Sequence, residues 1–278
     1  MVLTIIIGKN SNLSTHLKNT IENTFLVSSS NIQALKAIDV KDYKKINIIF
    51  NQFQISTKLY ELESPIDYIN RSIVTTAEVL EYIKSNSIQI NKIIYTSSSS
   101  VYGNNISCSE SNETHPLSLH SSLKVANERL IEKFCSDNDI DYTITRVFNM
   151  YGGDDNFSVI SKIINFYKKN ETLTLVNNGE AIRDFIHIDD VVHSYIKILK
   201  TKNTPIINIG TAEGKSILYI LNYLRKNSIE LKTNEIFKKE LMVSISENKI
   251  LLKIIGNYSF KKVEEYILEK IKSENGIN

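Results

Sequence analysis

Four consecutive hydroxyls, Ser97 to Ser100, follow directly on the apolar run Ile93-Ile94-Tyr95. Further on stand His120 and Lys124, four residues apart, the spacing that puts two side chains on one face of a helix. A buried strand ending in hydroxyls, opposite a helix bearing an imidazole and an ammonium, is a layout for carbonyl–alcohol redox chemistry. Such chemistry needs an oxygen held by a hydrogen bond and a group that gives or takes its proton. Imidazole, with an ordinary pKa of about 6.5, needs no tuning to work near neutrality. A lysine beside it disfavours the protonated form further, so His120 reads as a neutral base near pH 7. The residues leave two alternatives open. Tyr102 or a water could carry the proton, or the site could bind without turning over.

Elements that could position these groups follow from the apolar pattern. Short apolar runs alternate with longer amphipathic stretches, which predicts an α/β fold with a doubly wound parallel sheet. Strands are expected at 3–7, 24–27, 46–50, 92–96 and 142–147. Helices are expected at 13–21, 68–84 and 118–136, the last carrying His120 and Lys124. Beyond Tyr151 the elements are shorter and mixed. Helices are expected at 159–169, 189–199, 217–226 and 260–272, and strands at 172–176 and 206–209. Residues 1–150 are expected to form a dinucleotide-binding part, with segments near 182–210 returning to it. Residues 151–278 are expected to form mainly a smaller substrate-binding lobe.

A dinucleotide site needs a tight turn after the first strand and a helix N-terminus aimed at the pyrophosphate. The segment here is Gly8-Lys9-Asn10-Ser11-Asn12-Leu13-Ser14. Three serines, Ser28-Ser29-Ser30, stand where an acid often ends the second strand and holds the ribose. They would not repel a 2′-phosphate, so NAD and NADP both stay open.

Later segments complete a resemblance. Arg146-Val147-Phe148-Asn149-Met150-Tyr151-Gly152 is one, and Gly179 to Val191, containing Arg183-Asp184-Phe185 and Asp189-Asp190, is another. Asn208-Ile209-Gly210-Thr211 and Ser246-Glu247-Asn248-Lys249 follow. With the serine strand and the His120/Lys124 pair, the chain resembles the extended short-chain dehydrogenase/reductases of the NAD-dependent epimerase/dehydratase family, which act on nucleotide sugars. The resemblance implies a Rossmann-like sheet with a small C-terminal lobe. It assigns Ser98 to the reacting sugar oxygen, the position of His120 to the proton carrier and Lys124 to the nicotinamide ribose. The family has tyrosine where this chain has His120. Gly8, Ser11 and Ser14 fall at the three glycine positions of the family turn, and Asp39 at an adenine contact. Asn149 and Arg183 fall at diphosphate contacts, with Arg225 a weaker candidate, and Asn70 at a residue shaping the site. Arginine suits phosphate because its fork donates in pairs and stays charged. Asp189 and Asp190 are expected as capping and dipole partners at a helix start. Tyr151 and Phe185 are expected to pack.

Family dehydratases carry Thr-Asp-Glu where this chain has Ser98-Ser99-Ser100. Without those carboxylates 4,6-dehydration is disfavoured, and epimerisation or keto-sugar reduction for surface glycan synthesis remains. The alternative is a degenerate member that binds a nucleotide sugar without redox turnover. A homodimer through a four-helix contact is implied.

Bulk properties agree. Hydrophobic residues make up 42% of the 278 and charged residues 23%, ordinary for a globular protein. A net charge of +2 offers no case for nucleic acid or anionic membrane. No apolar run reaches the roughly 20 residues of a membrane span. Cys108 and Cys135 suggest neither a metal site nor a disulfide framework. A cytoplasmic location is expected.

Overall fold

The computed structural model describes residues 2–40, 43–52 and 65–274. The first half runs β1 (Val2–Ile7), α1 (Asn12–Thr20), β2 (Thr24–Val27), β3 (Lys45–Phe50), α2 (Pro65–Ile69), α3 (Thr75–Ser85), β4 (Ile90–Ser98), β5 (Ser107–Cys108), α4 (Leu119–Asp137) and β6 (Tyr142–Val147). The second half runs β7 (Asn149–Tyr151), α5 (Val159–Lys168), β8 (Leu173–Val176), β9 (Ile182–His187), α6 (Ile188–Ile198), β10 (Ile206–Ile209), β11 (Gly214–Ser216), α7 (Ile217–Lys226), β12 (Thr233–Ile236), β13 (Val243–Ser246), α8 (Lys249–Ile255) and α9 (Val263–Glu274).

Six parallel strands form the main sheet in the order β10-β6-β4-β3-β1-β2. Both faces are covered, which is why β1, β3 and β4 read as near-continuous apolar runs. Residues alternate between the two faces. Ile5, Ile7, Ile48, Phe50, Ile93 and Tyr95 pack under α3 and α4 with Val79, Leu80 and Ile131. Ile6, Ile49, Ile94 and Ile207 pack on the other face with Leu13 and Leu17 of α1, Val191 and Tyr195 of α6, and Leu251 of α8. The chain leaves β1 outward to β2 and returns to β3 on the opposite side. That reversal is a topological switch point, where the carboxyl ends of the strands open a crevice.

The small lobe has a sheet of order β11-β9-β13-β5 with β7 beside β9, and a β8–β12 ribbon. Tyr151 and Phe185 are buried in its core, against Ile163 of α5, Ile220 of α7 and Ile267 of α9. Although late in the chain, β10 and α6 belong to the large sheet and its cover, whereas β9 belongs to the small one.

The expected helix over 68–84 is interrupted by one π turn, Asn70–Val74, between α2 and α3. There the Thr75 hydroxyl lies 2.9 Å from the carbonyl of Asn70 and 3.0 Å from that of Ser29. The α6 cap also differs from expectation. His187 is the N-cap, its Nδ1 accepting from the Asp189 N–H at 3.1 Å. Asp189 and Asp190 occupy the first turn but reach across to another segment. The Asp190 carboxylate accepts from the Tyr258 hydroxyl (2.7 Å) and the Lys261 N–H (3.0 Å), and Asp189 pairs with the Lys261 ammonium at 2.6 Å. Among the described residues, no helix is long and apolar enough to cross a membrane.

Candidate active site

β4 ends at Ser98, whose hydroxyl caps the 3₁₀ turn Ser99–Tyr102 by accepting from the Ser100 N–H at 3.2 Å. Its own proton is left to donate. α4 begins beside this tip with a capping box. Ser118 Oγ accepts from the Ser121 N–H (3.2 Å), and Ser121 Oγ accepts from the Ser118 N–H (3.0 Å). The box fixes the first turn, and His120 lies in it. Lys124, one turn on, is 4% exposed. Its ammonium donates to the carbonyls of Thr96 (2.7 Å) and Gln52 (3.3 Å) and stands 5.1 Å over the Tyr95 ring. The lysine is thus anchored two residues below Ser98, between the ends of β3 and β4.

Burial, opposed by Glu128, lowers the Lys124 pKa to about 8. Burial and the Lys124 charge push His120 down to about 4, and the positive end of the α4 dipole acts the same way. At pH 7 the imidazole is neutral and the ammonium charged. Among the described residues the His120 ring has no hydrogen-bond partner, which leaves its nitrogens open to a ligand.

Beneath the tip lies a buried network that sequence spacing did not expose. Ser97 donates to Glu128, which also accepts from Arg146 Nε (3.2 Å) and Nη2 (2.8 Å). The guanidinium lies 4.8 Å from the centre of the Tyr102 ring, and the Tyr102 hydroxyl donates to Asn208 at 2.7 Å. Burial pushes the Tyr102 pKa up to about 12, so Tyr102 is a poor proton carrier. Ser97 and Tyr102 stand in one sequence stretch, Arg146 and Asn208 in others, and nothing in their spacing joins them through Glu128.

At the cofactor end, Gly8 has φ +115°, and a Cβ there would lie 2.3 Å from the Asn51 carbonyl oxygen. Glycine is required by that close approach and by the positive φ. Ser11 needs no such freedom. It sits at φ −78° as the N-cap of α1. Its hydroxyl accepts from Asn51 Nδ2 at 3.0 Å and donates to nothing among the described residues. Ser14 does not face a ligand. Fully buried, it donates to the Gly8 carbonyl and accepts from Asn51 Nδ2, both at 2.8 Å. Asp39 lies exposed on the loop before β3. Asn70 is also exposed; the residue of the π turn facing α4 is Ser72, which accepts from Asn127 Nδ2 at 2.8 Å. Two residues of helix rotate a side chain by about 200°, enough to move Asn70 off the inner face.

Two buried amide oxygens, Asn51 Oδ1 and Gln52 Oε1, have no partner among the described residues. Both lie just past β3 at the switch point, on the chain that touches Gly8 and Lys124. A buried acceptor without a donor costs about 1–3 kcal/mol, and ribose hydroxyls are donors that would satisfy it. With the Ser11 hydroxyl at a helix N-terminus, these residues fit a dinucleotide.

At the substrate end, β6 sets Val147 beside Ser98, and two residues later Asn149 enters the small sheet. Asn149 Nδ2 donates to the Asp184 carbonyl at 3.1 Å, and Arg183 lies on the adjacent β9. Asp184, given no role by its place in the Arg183-Asp184-Phe185 motif, is a hub. Its carboxylate accepts from the N–H groups of Thr211 (2.9 Å), Ala212 (3.0 Å) and Ser246 (3.2 Å). A cavity of about 360 Å³ lies elsewhere, between α7 and the β8–β12 ribbon. Arg225 lines it, donating to Asn222 at 3.1 Å. None of the strand-tip residues does.

Comparison with known proteins agrees with this fold. Protein CapI of Staphylococcus aureus is 32% identical over 151 residues, 52% of this chain and 44% of that protein. A putative UDP-glucose 4-epimerase of Methanocaldococcus jannaschii is 28% identical over 236 residues, 82% of this chain and 76% of that one. The chain spans about half the length of several curated relatives it matches. The solved UDP-glucuronic acid 4-epimerase from Bacillus cereus in complex with NAD shares the fold with a TM-score of 0.79 at 21% identity, over 100% of this chain and 98% of that one. MoeE5 in complex with UDP-glucose and NAD does so with a TM-score of 0.82 at 18% identity, over 99% and 100%. The model of the NAD dependent epimerase/dehydratase family matches residues 8–210. That span runs from the Gly8 turn through the serine strand, α4 and Arg183 to β10, and the chain belongs to this family.

Proposed function

We propose that this chain is an NAD(P)-dependent nucleotide-sugar epimerase or keto-sugar reductase whose product serves surface glycan synthesis. The observation that carries the reading is the seat of Lys124. A buried ammonium is bonded to the Thr96 carbonyl, two residues before the Ser98 hydroxyl and one helical turn from a neutral imidazole.

Each group then has a physical task. Ser98 donates its proton to the reacting sugar oxygen and holds it at the strand tip. His120, neutral above about pH 4, accepts the hydroxyl proton on a ring nitrogen. An imidazole so depressed is a weak base, and the Lys124 charge compensates by stabilising the developing oxyanion. Gly8, Ser11 and Lys124 would hold the cofactor, with Asp39 at its adenine end. When bound, NAD or NADP supplies hydride exchange at the carbinol carbon. Asn149 and Arg183 would hold the diphosphate.

A second reading, binding of a nucleotide sugar without turnover, is favoured by one observation. The Lys124 ammonium already has two carbonyl partners and a pKa lowered to about 8. Denaturing the purified protein and quantifying the released ligand separates the two. The enzyme should release a nicotinamide dinucleotide or bind an added one, and should convert UDP-glucose or UDP-glucuronic acid. Retained UDP binding with neither dinucleotide nor conversion would establish the binder instead.

A further inference from the structure

Arg183 is not waiting open for a ligand. Its Nη1 donates to the Ile182 carbonyl at 2.9 Å, and its Nη2 donates to Glu240 Oε2 at 3.2 Å. The other Glu240 oxygen accepts from Asn177 Nδ2 at 3.0 Å. Asn177 also clips the segment that carries Glu240. Its Nδ2 donates to the Lys238 carbonyl (2.6 Å), and its Oδ1 accepts from the Lys238 N–H (3.1 Å). Asn177 itself sits in the left-handed region, at φ +46°, a conformation asparagine tolerates better than most residues. The carboxylate is therefore delivered to the guanidinium by a fixed side-chain-to-backbone clip between the turn after β8 and the segment before β13.

We propose that Glu240 is a built-in competitor for the diphosphate arginine and sets the affinity of the nucleotide subsite, an inference that rests on the assignment of Arg183 to the diphosphate. The carboxylate occupies the guanidinium edge that phosphate oxygens would use. Its hold is weak: a single contact, with the two side chains 21% and 23% exposed, in the class of ion pairs worth little. A diphosphate offers the fork paired, charge-assisted bonds and wins the exchange. The displaced carboxylate then remains near a new anion and repels it. Affinity is held down and release of the nucleotide product is quickened.

Calorimetric titration of UDP into the wild type, Glu240→Gln, Arg183→Ala and the double variant tests this, with thermal melts confirming that each is folded. Glu240→Gln should bind UDP roughly 3- to 5-fold more tightly than the wild type. Arg183→Ala should weaken binding about tenfold or more. In the Arg183→Ala background the gain from Glu240→Gln should shrink to about twofold or less, because the two act on one another. Unchanged or weaker binding by Glu240→Gln, with Arg183→Ala still impaired, overturns the competitor role alone. Wild-type binding that Arg183→Ala leaves untouched, or no UDP binding by any variant, overturns the diphosphate assignment and the competitor role with it.

Discussion

His120 and Lys124 exchange their usual order on the pH scale. Burial and the Lys124 charge put the imidazole at about 4, and burial, opposed by Glu128, puts the ammonium at about 8. Activity as proposed requires a neutral His120 and a charged Lys124. The pH dependence of kcat/KM with UDP-glucose should therefore be bell-shaped, rising with a midpoint near 4 and falling with a midpoint near 8. Lys124→Met should remove the alkaline limb and lower the plateau. A profile that keeps its alkaline limb in that variant would assign the limb to another group. At this scale the placement of Ser98 on a strand tip and of His120 and Lys124 one turn apart on a helix was legible in the sequence. Placement was not legible where a hydroxyl could turn either way. Ser14 matches a glycine position yet points inward to Asn51, because the buried Gly8–Asn51 approach leaves polar atoms that need partners. Asn70 has the right residue type but lies outward, with Ser72 on the inner face.

The element that organises the site is α4. Its capped first turn presents His120, its second Lys124, and its third Glu128. Glu128 is 3% exposed and paired with Arg146, also 3% exposed, on β6. Removing one partner of such a pair leaves a buried charge uncompensated, at a cost of about 3–5 kcal/mol. Glu128→Ala should lower the urea midpoint accordingly, and Glu128→Gln, which keeps an acceptor for Ser97 and Arg146, should do so less. Equal loss in the two variants would mean that the volume, and not the charge, holds β4, α4 and β6 in place. The helix was readable because its apolar positions recur at helical spacing. The pair was not, since its members lie 18 residues apart on different elements. Strand length explains three of the omitted strands, though not β9, β12 and β13, which have four to six residues. β1, β3 and β4 carry apolar runs buried on two faces, whereas β5, β7 and β11 have two or three residues each, too few to show a period.

The molecule as a whole joins the large sheet to a small lobe through the tips of β4 and β6, so site geometry and global stability share their supports. Three histidines, His120, His187 and His193, link that stability to pH. Burial holds all three below the ordinary imidazole value of 6.5. As pH falls from about 6.5 toward about 4, the unfolded chain takes up protons that the native chain refuses, and stability is lost over that window. Asp190, raised by burial above the ordinary carboxylate value, works in the opposite sense, while Asp189, lowered against the effect of burial by its bond to Lys261, works with the histidines. The urea midpoint should be lower at pH 5 than at pH 7, and a flat midpoint would mean that these rings titrate freely in the native state.

In the proposed reaction the His120 imidazole does what a phenol does elsewhere in the family. The most direct measurement is steady-state conversion of UDP-glucose or UDP-glucuronic acid by the wild type and His120→Ala at pH 7, with products separated by chromatography. Loss of a general base predicts a fall in kcat of about 10²–10⁴ with KM nearly unchanged. An alanine variant that turns over as fast as the wild type would contradict it.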